Sequence, residues 1–183
     1  TDTGWGTVTG NTNYMFMGGT SMATPLMAGA AGLTRQWIIT SAGITNPSAA
    51  LVKALMMNGA RNMAPGQYGT GSTQEIPNNR PNNVQGWGHV DLYNTLKPST
   101  NLALSLYDTN SLSTGQSNQF PFVISAATTN KFSITMAYSD YFATAGSSKR
   151  LINDLDLTLV KPSGTVVYPN GNNTFDATNN VET

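Results

Sequence analysis

Gly18-Gly19-Thr20-Ser21-Met22-Ala23-Thr24-Pro25 stands between two segments of different character. Before it, Tyr14-Met15-Phe16-Met17 is an apolar run that reads as a strand. After it, Leu26 to Ile39 is rich in small residues and reads as a helix. A serine where a strand turns into a helix has its hydroxyl held at the rim of a sheet. Its own N–H lies among the unpaired donors of the helix N-terminus. Such donors can hold a negative oxygen, which acyl transfer requires while the tetrahedral intermediate lasts. Gly18 and Gly19 carry no Cβ and leave room for another backbone. Pro25, expected in the first helical turn, gives up an N–H that would be unpaired there. The plainer alternative is that Thr20 or Ser21 only caps the helix.

The uninterrupted string Gly-Thr-Ser-Met-Ala-Thr-Pro, residues 19–25, resembles the serine segment of the subtilisin-like serine proteases. The small residues Ala28, Gly29, Ala30, Ala31 and Gly32 resemble that family's buried helix. The resemblance implies that Ser21 is a protease nucleophile attacking a scissile peptide carbonyl and forming an acyl-enzyme. It implies that the Ser21 N–H donates to the oxyanion, with Thr20 and Met22 flanking the nucleophile as positioning residues.

Composition narrows the alternatives. The chain has 183 residues, enough for one domain or two small ones, and 39% of them are hydrophobic, enough for a core. Only 10% are charged and the net charge is zero, so solubility falls to Asn, Thr, Ser and Gly. A surface of that kind exerts no electrostatic pull on nucleic acid or anionic membranes, and neither is expected as a partner. Without cysteine there are no disulfides and no thiolate metal sites. No apolar run approaches the roughly 20 residues that span a bilayer. The opening Thr1-Asp2-Thr3-Gly4 and the ending Asn179-Asn180-Val181-Glu182-Thr183 both read as the middle of something, and a fragment of a secreted protein is expected.

Taken in order, Thr1 to Asn13 reads as a Gly- and Thr-rich loop. Leu26, Ala30, Leu33 and Trp37 recur at helical spacing over about five turns, and Gly43 closes the helix. Asn46 suits the cap and Pro47 the first position of a second helix, with Leu51, Ala54, Leu55 and Met56 on its apolar face and Asn58-Gly59 at its end. Residues 60–84 form a long loop rich in Asn, Pro and Gly. Gly86-Trp87-Gly88-His89-Val90-Asp91-Leu92 and a short helix to Leu96 resemble the segment that closes a subtilisin-like catalytic domain. A boundary is placed near Lys97-Pro98-Ser99, giving an α/β catalytic portion over 1–99 and a second domain over 100–183.

Beyond that point the period changes to two. Leu102-Leu104-Leu106, Phe120-Phe122-Ile124, Phe132-Ile134-Met136 and Leu155-Leu157-Leu159 alternate with other residues, with turn signals at Ser163-Gly164 and Asn170-Gly171. The pattern predicts an all-β sandwich. The run Asn153 to Thr165 resembles the jelly-roll domain that follows the catalytic domain in proprotein convertases and in certain large bacterial alkaline proteases.

A serine hydroxyl is a poor nucleophile until a base takes its proton. In the subtilisin order the acid and the histidine precede the serine. Only 20 residues precede Ser21 here, and none is a histidine. Asn11 and Asn13 lie too close to Ser21 to serve as the family's oxyanion asparagine. The expectation is a chain that carries the nucleophile and depends on absent sequence to activate it. The one histidine, His89, suits an α/β-hydrolase order only with Glu75 as the acid. Ala23 at the fifth position of the elbow and the lack of strand–helix repeats speak against that order, and His89 is read as structural. Met22 reads as ordinary apolar packing, and the resemblance implies more: it would be the residue whose oxidation crowds the site.

Alternation puts Asp154 and Asp156 on one face of a strand, opposite Leu155, Leu157 and Leu159. With Asp140 brought near by a neighbouring strand, the three could supply oxygen ligands to a structural Ca²⁺; a solvated polar edge is the competing reading. Catalysis needs no cofactor on this reading. Asn172-Asn173-Thr174 is a glycosylation sequon of the kind an Asn/Thr-rich chain contains by chance. Two functions are carried forward: a subtilisin-like endopeptidase acting on protein or peptide substrates, and a non-catalytic module derived from such a protease.

Overall fold

The computed structural model describes residues 6–96, 103–108, 111–124 and 132–183. Two short strands open it, β1 (Gly6–Val8) and β2 (Asn11–Phe16), paired antiparallel with Gly6 opposite Phe16 and Thr7 opposite Met15. The expected loop over 1–13 is therefore a hairpin in its described part. Gly10, at φ 82°, supplies the left-handed turn that brings Asn11 opposite Val8.

The first helix, α1, runs over Thr20–Thr40, six residues earlier than its apolar period suggests. Pro25 therefore falls in the second turn, where its missing N–H leaves the Ser21 carbonyl without the usual acceptor role. The packing face also differs from the expected one. Ala30, Thr34 and Ile38, four residues apart, are buried, whereas Leu26 is 72% and Leu33 51% exposed. A small alanine lets α1 approach its neighbour closely. Burial of Thr34 is tolerated because its hydroxyl donates to the Ala30 carbonyl at 2.8 Å.

The neighbour is α2 (Ala49–Gly59), whose Leu51, Val52, Leu55 and Met56 complete the core with Ala30 and Ile38. The expected apolar face, Leu51, Ala54, Leu55 and Met56, is buried throughout, and the helix ends at Gly59 as its sequence indicates. Its cap is Ser48 rather than Asn46. The Ser48 hydroxyl accepts from the Leu51 N–H at 3.0 Å, while its own N–H donates to Asp108 at 2.8 Å and its hydroxyl bonds the same carboxylate. Ser48 takes the extended geometry of a cap, φ −67° and ψ 156°, two residues beyond the expected position. Asp108 places a negative charge at the positive end of α2.

Residues 60–91 contain no regular element, yet they are tightly tied. Arg61 and His89 exchange backbone hydrogen bonds at 2.8 Å, and Gln85 bonds to Asn62, Met63 and the Pro77 carbonyl. Gly88 sits at φ 113°, and a Cβ there would lie 2.5 Å from the Arg61 carbonyl oxygen. A short helix, α3 (Leu92–Leu96), follows, opened by the Asp91 carboxylate accepting from the Asn94 N–H at 3.0 Å.

The boundary expected at 97–99 and Leu102 lie outside the described residues. Beyond them the described residues hold two small antiparallel pairs: β3 (Met136–Ala137) with β6 (Val181–Glu182), and β4 (Leu159–Val160) with β5 (Val166–Val167). The Lys161–Thr165 turn joins the second pair at the expected Ser163-Gly164 signal. The segments around Leu104, Leu106, Phe120 and Phe122 are irregular; there Tyr107 rests on Phe120 and Phe122 on Phe132, with ring centroids 4.8 and 4.5 Å apart.

This second half is joined to α2. Asn58 donates to Ser133 and Thr135 at 3.1 and 3.0 Å, and Lys53 to Asn180 at 3.0 Å. No described helix is long and apolar enough to cross a membrane.

Candidate active site

The approach to Ser21 starts in β2 and passes through Met17 and Gly18 to Gly19, whose φ of 142° and ψ of 171° turn the chain into α1. That conformation favours glycine strongly, so the Gly19 position is set by backbone geometry. Gly19 is the residue that caps α1, and no side chain caps it. Its carbonyl takes the N–H groups of Met22 and Ala23, both at 3.1 Å, which leaves the Ser21 N–H with no partner among the described residues. The Ser21 hydroxyl is exposed and likewise makes no hydrogen bond there. Thr24, one turn further, returns its hydroxyl to the Thr20 carbonyl at 2.7 Å and does not approach Ser21. The simple alternative, that Thr20 or Ser21 caps the helix, is thus not what the residues do.

An exposed hydroxyl beside its own unpaired N–H, at the positive end of a 21-residue helix, is a geometry in which a developing oxyanion would be stabilised. Around it lies an unusual amount of uncovered apolar surface: Tyr14, Met15, Phe16 and Met17 on the approach, Leu26 and Met27 on the helix. Met22 is half-buried, its sulfur 3.9 Å from where a Cβ on Gly19 would sit.

Among the described residues no base reaches Ser21. His89 is tied through its backbone to Arg61, in keeping with a structural role, and Glu75 accepts from the Gln67 N–H at 3.0 Å in the irregular loop. No hydrogen bond links either to Ser21, so the hydrolase-type triad has no contact to support it.

The three aspartates occupy different settings. Asp140 closes a loop, accepting from the backbone of Tyr141, Ile152 and Asn153 and from the Asn153 amide at 2.7–2.9 Å. The Ile152 bond leads these in holding its carboxyl below the usual range. Asp154 lies 4.0 Å from Lys149. Asp156 is raised, by burial first and by the charge of Asp154 second. The expected alternation does hold over 154–159, with Asp154, Asp156 and Thr158 exposed and the three leucines half-buried, although only Leu159 is in a strand. Among the described residues no three acidic, histidine or cysteine side chains are grouped closely enough to hold a metal ion.

One acid escaped the sequence reading. Glu182 on β6 is completely buried; one oxygen accepts from the Leu157 N–H at 2.5 Å and the other has no partner among the described residues. Burial pushes its carboxyl up to about 7, helped by Asp156, Asp176 and Asp154 and opposed by the Leu157 bond. No sequence signal marks it, because a glutamate between valine and threonine near a chain end reads as solvated. Nearby Asp176 goes the other way. Burial alone would raise it, but bonds from Asn170, Asn179 and Thr178 outweigh that and hold it at about 2.

Residues 3–88 match the family described as "Subtilase family". Two proteins of Dictyostelium discoideum are also similar. "Serine protease/ABC transporter B family protein tagD" is 29% identical over 200 residues, covering 86% of this chain, and "Serine protease/ABC transporter B family protein tagB" is 26% identical over 212 residues, covering 92%. That coverage exceeds what residues 1–96 could supply, so the similarity runs on into the second half. The chain spans 11% of the length of each of these relatives.

Proposed function

We propose, from the match of residues 3–88 to the subtilase family, that Ser21 is the nucleophile of a serine endopeptidase. The observation that carries the proposal is the free hydroxyl of Ser21 beside its own unpaired N–H at the start of α1, inside the string that resembles the family's serine segment. On this reading Ser21 attacks the scissile carbonyl and forms an acyl-enzyme, and its N–H shares the oxyanion with an asparagine. That asparagine, the general base and its orienting acid would come from outside these 183 residues, and the chain alone would be inactive. The uncovered apolar surface of β2 and α1 supports this, as the face that the remaining layers of an α/β domain would cover. Protein or peptide substrates and secretion belong to the same proposal, as does a jelly-roll-like sandwich built around the short pairs of the 100–183 half. A structural calcium ion near Asp154 and Asp156 is a subsidiary part of it.

Labelling with a serine-directed fluorophosphonate tests the reading. The complete protease should label at Ser21, the Ser21→Ala variant should not, and the 183-residue chain should label weakly or not at all. Removal of a serine nucleophile should lower kcat by about 10⁶-fold. A complete protein that keeps its activity without the Ser21 hydroxyl would refute the assignment. The second reading, a non-catalytic module, rests on the absence of any base near Ser21 among the described residues. Upstream sequence decides between them: an Asp-Thr/Ser-Gly segment followed by His-Gly-Thr-His favours the enzyme, and substituted positions there favour the module.

A further inference from the structure

Ser21 can steady an oxyanion only if its N–H points to where the negative oxygen forms. The direction of that N–H is set by one peptide plane, the unit joining Thr20 to Ser21. This unit is not among the cis peptides of the described residues, so the Thr20 carbonyl and the Ser21 N–H share a plane and point in opposite directions. Whatever holds the carbonyl therefore aims the N–H.

The N–H end of the plane has no partner among the described residues, as a donor kept for a ligand must not. In the next plane the Ser21 carbonyl receives no N–H from position 25, because Pro25 has none. The first turn of α1 is thus short of ties where Ser21 sits. The Thr20 carbonyl is the exception. Helical geometry directs the Thr24 N–H towards it, and the Thr24 hydroxyl donates to it as well, at 2.7 Å. A carbonyl with one hydrogen bond can swing about it; a second donor, on the other lone pair, fixes the plane. The added bond also polarises the peptide unit and makes its N–H a stronger donor.

Thr34 and Thr40 bond back in the same way further along α1, to the Ala30 and Gln36 carbonyls at 2.8 and 3.0 Å. Such a bond is an ordinary property of a helical threonine. Thr24 differs in where its bond lands, since of the three carbonyls only that of Thr20 shares a plane with the Ser21 N–H. Thr40, exposed like Thr24 but at the opposite end of the helix, supplies a control with the same chemistry.

We infer that Thr24 is a positioning residue, its hydroxyl holding the Thr20–Ser21 peptide plane so that the Ser21 N–H faces the oxyanion. The inference rests on the reading of Ser21 as the nucleophile.

The test uses the complete protease. Removing an oxyanion donor outright costs about 10²–10³ in kcat and misaiming one should cost less, so Thr24→Val should lower kcat about tenfold and change KM by less than about twofold. Valine keeps the branched shape and much the same helix propensity. Thr24→Ser, which keeps the hydroxyl, should restore kcat, and Thr40→Val should leave it unchanged. A peptide aldehyde adds a readout that a merely structural role would not move. Ser21 Oγ bonds to the aldehyde carbon, the general base takes the hydroxyl proton, and the carbonyl electron pair becomes the oxyanion. Thr24→Val should weaken the aldehyde as much as it lowers kcat, and leave the affinity of the corresponding alcohol, which forms no adduct, unchanged. Should Thr24→Val fail to fold, Thr24→Ala makes the same comparisons. An unchanged kcat, an equal fall in Thr40→Val, no recovery with Thr24→Ser, or equal weakening of aldehyde and alcohol would overturn the inference. Activity retained by Ser21→Ala would remove the nucleophile reading and this inference with it, whereas activity lost there but kept in Thr24→Val would remove this inference alone.

Discussion

Replacing Gly59 by alanine should be among the most damaging changes available to a single methyl group here. Gly59 ends α2 where α3 crosses it. A Cβ built on Gly59 would lie 2.2 Å from Thr95 Oγ1, 2.7 Å from Thr95 Cα and 2.8 Å from Thr95 N. Thr95 cannot swing away, since its hydroxyl and N–H both donate to the Asp91 carbonyl, at 2.6 and 3.0 Å. Alanine in place of glycine gains at most about 0.5–1 kcal/mol of backbone entropy. Overpacking costs about 1–3 kcal/mol and occasionally more; contact with backbone puts this case at the upper end, about 3 kcal/mol. For a chain of this size that is a fall in Tm of roughly 6–12 °C. The decisive measurement is thermal melting of Gly59→Ala alone and combined with Thr95→Ala. Removing the hydroxyl relieves the shortest contact but leaves the Cα and N in place, so the second substitution should not rescue the first. A single variant within a degree or two of the parent, or full rescue by Thr95→Ala, would show that α3 is free to move and that the close crossing is not a constraint.

The buried acid gives a prediction with a definite sign. Glu182 has a folded pKa of about 7 against 4.5 for an exposed glutamate, so the folded state holds its proton more tightly. Stability is then unaffected by this group below about pH 4.5 and falls as the pH rises to 7, by on the order of 1–3 kcal/mol after allowance for screening. Glu182→Gln should raise Tm at pH 8 and leave it unchanged at pH 4, and a variant less stable at pH 8 would contradict the assignment. In the complete protease, peroxide should abolish activity through Met22, whose sulfur lies over Gly19 beside Ser21; Met22→Leu should be resistant, and unchanged kinetics after full oxidation of Met22 would remove that residue from the site. Calcium should raise the Tm of the complete protein by several degrees and a chelator should reverse the rise, since Asp154 and Asp156 share one exposed face; the same Tm with calcium and with chelator would remove the ion from the proposal.

The residues around Ser21 were legible in the order of the chain because their signals are local. A strand-like run, two glycines and a small-residue helix place a hydroxyl at a helix start whatever lies elsewhere. The apolar face of α2 and the turn at Ser163-Gly164 were legible for the same reason. Where α1 packs was not. Its period points to Leu26 and Leu33, but which stripe is buried depends on the neighbour it meets, and α2 meets Ala30, Thr34 and Ile38. The cap of α2 moved to Ser48 because Asp108, sixty residues later, comes to bond it. The period of two beyond residue 100 indicates which side chains share a face, but a ladder also needs a partner strand, and the described pairs are only two residues long. Glu182 shows the limit most plainly. A carboxyl acquires its raised pKa only when distant segments close over it and exclude water, and no spacing along the chain encodes that burial.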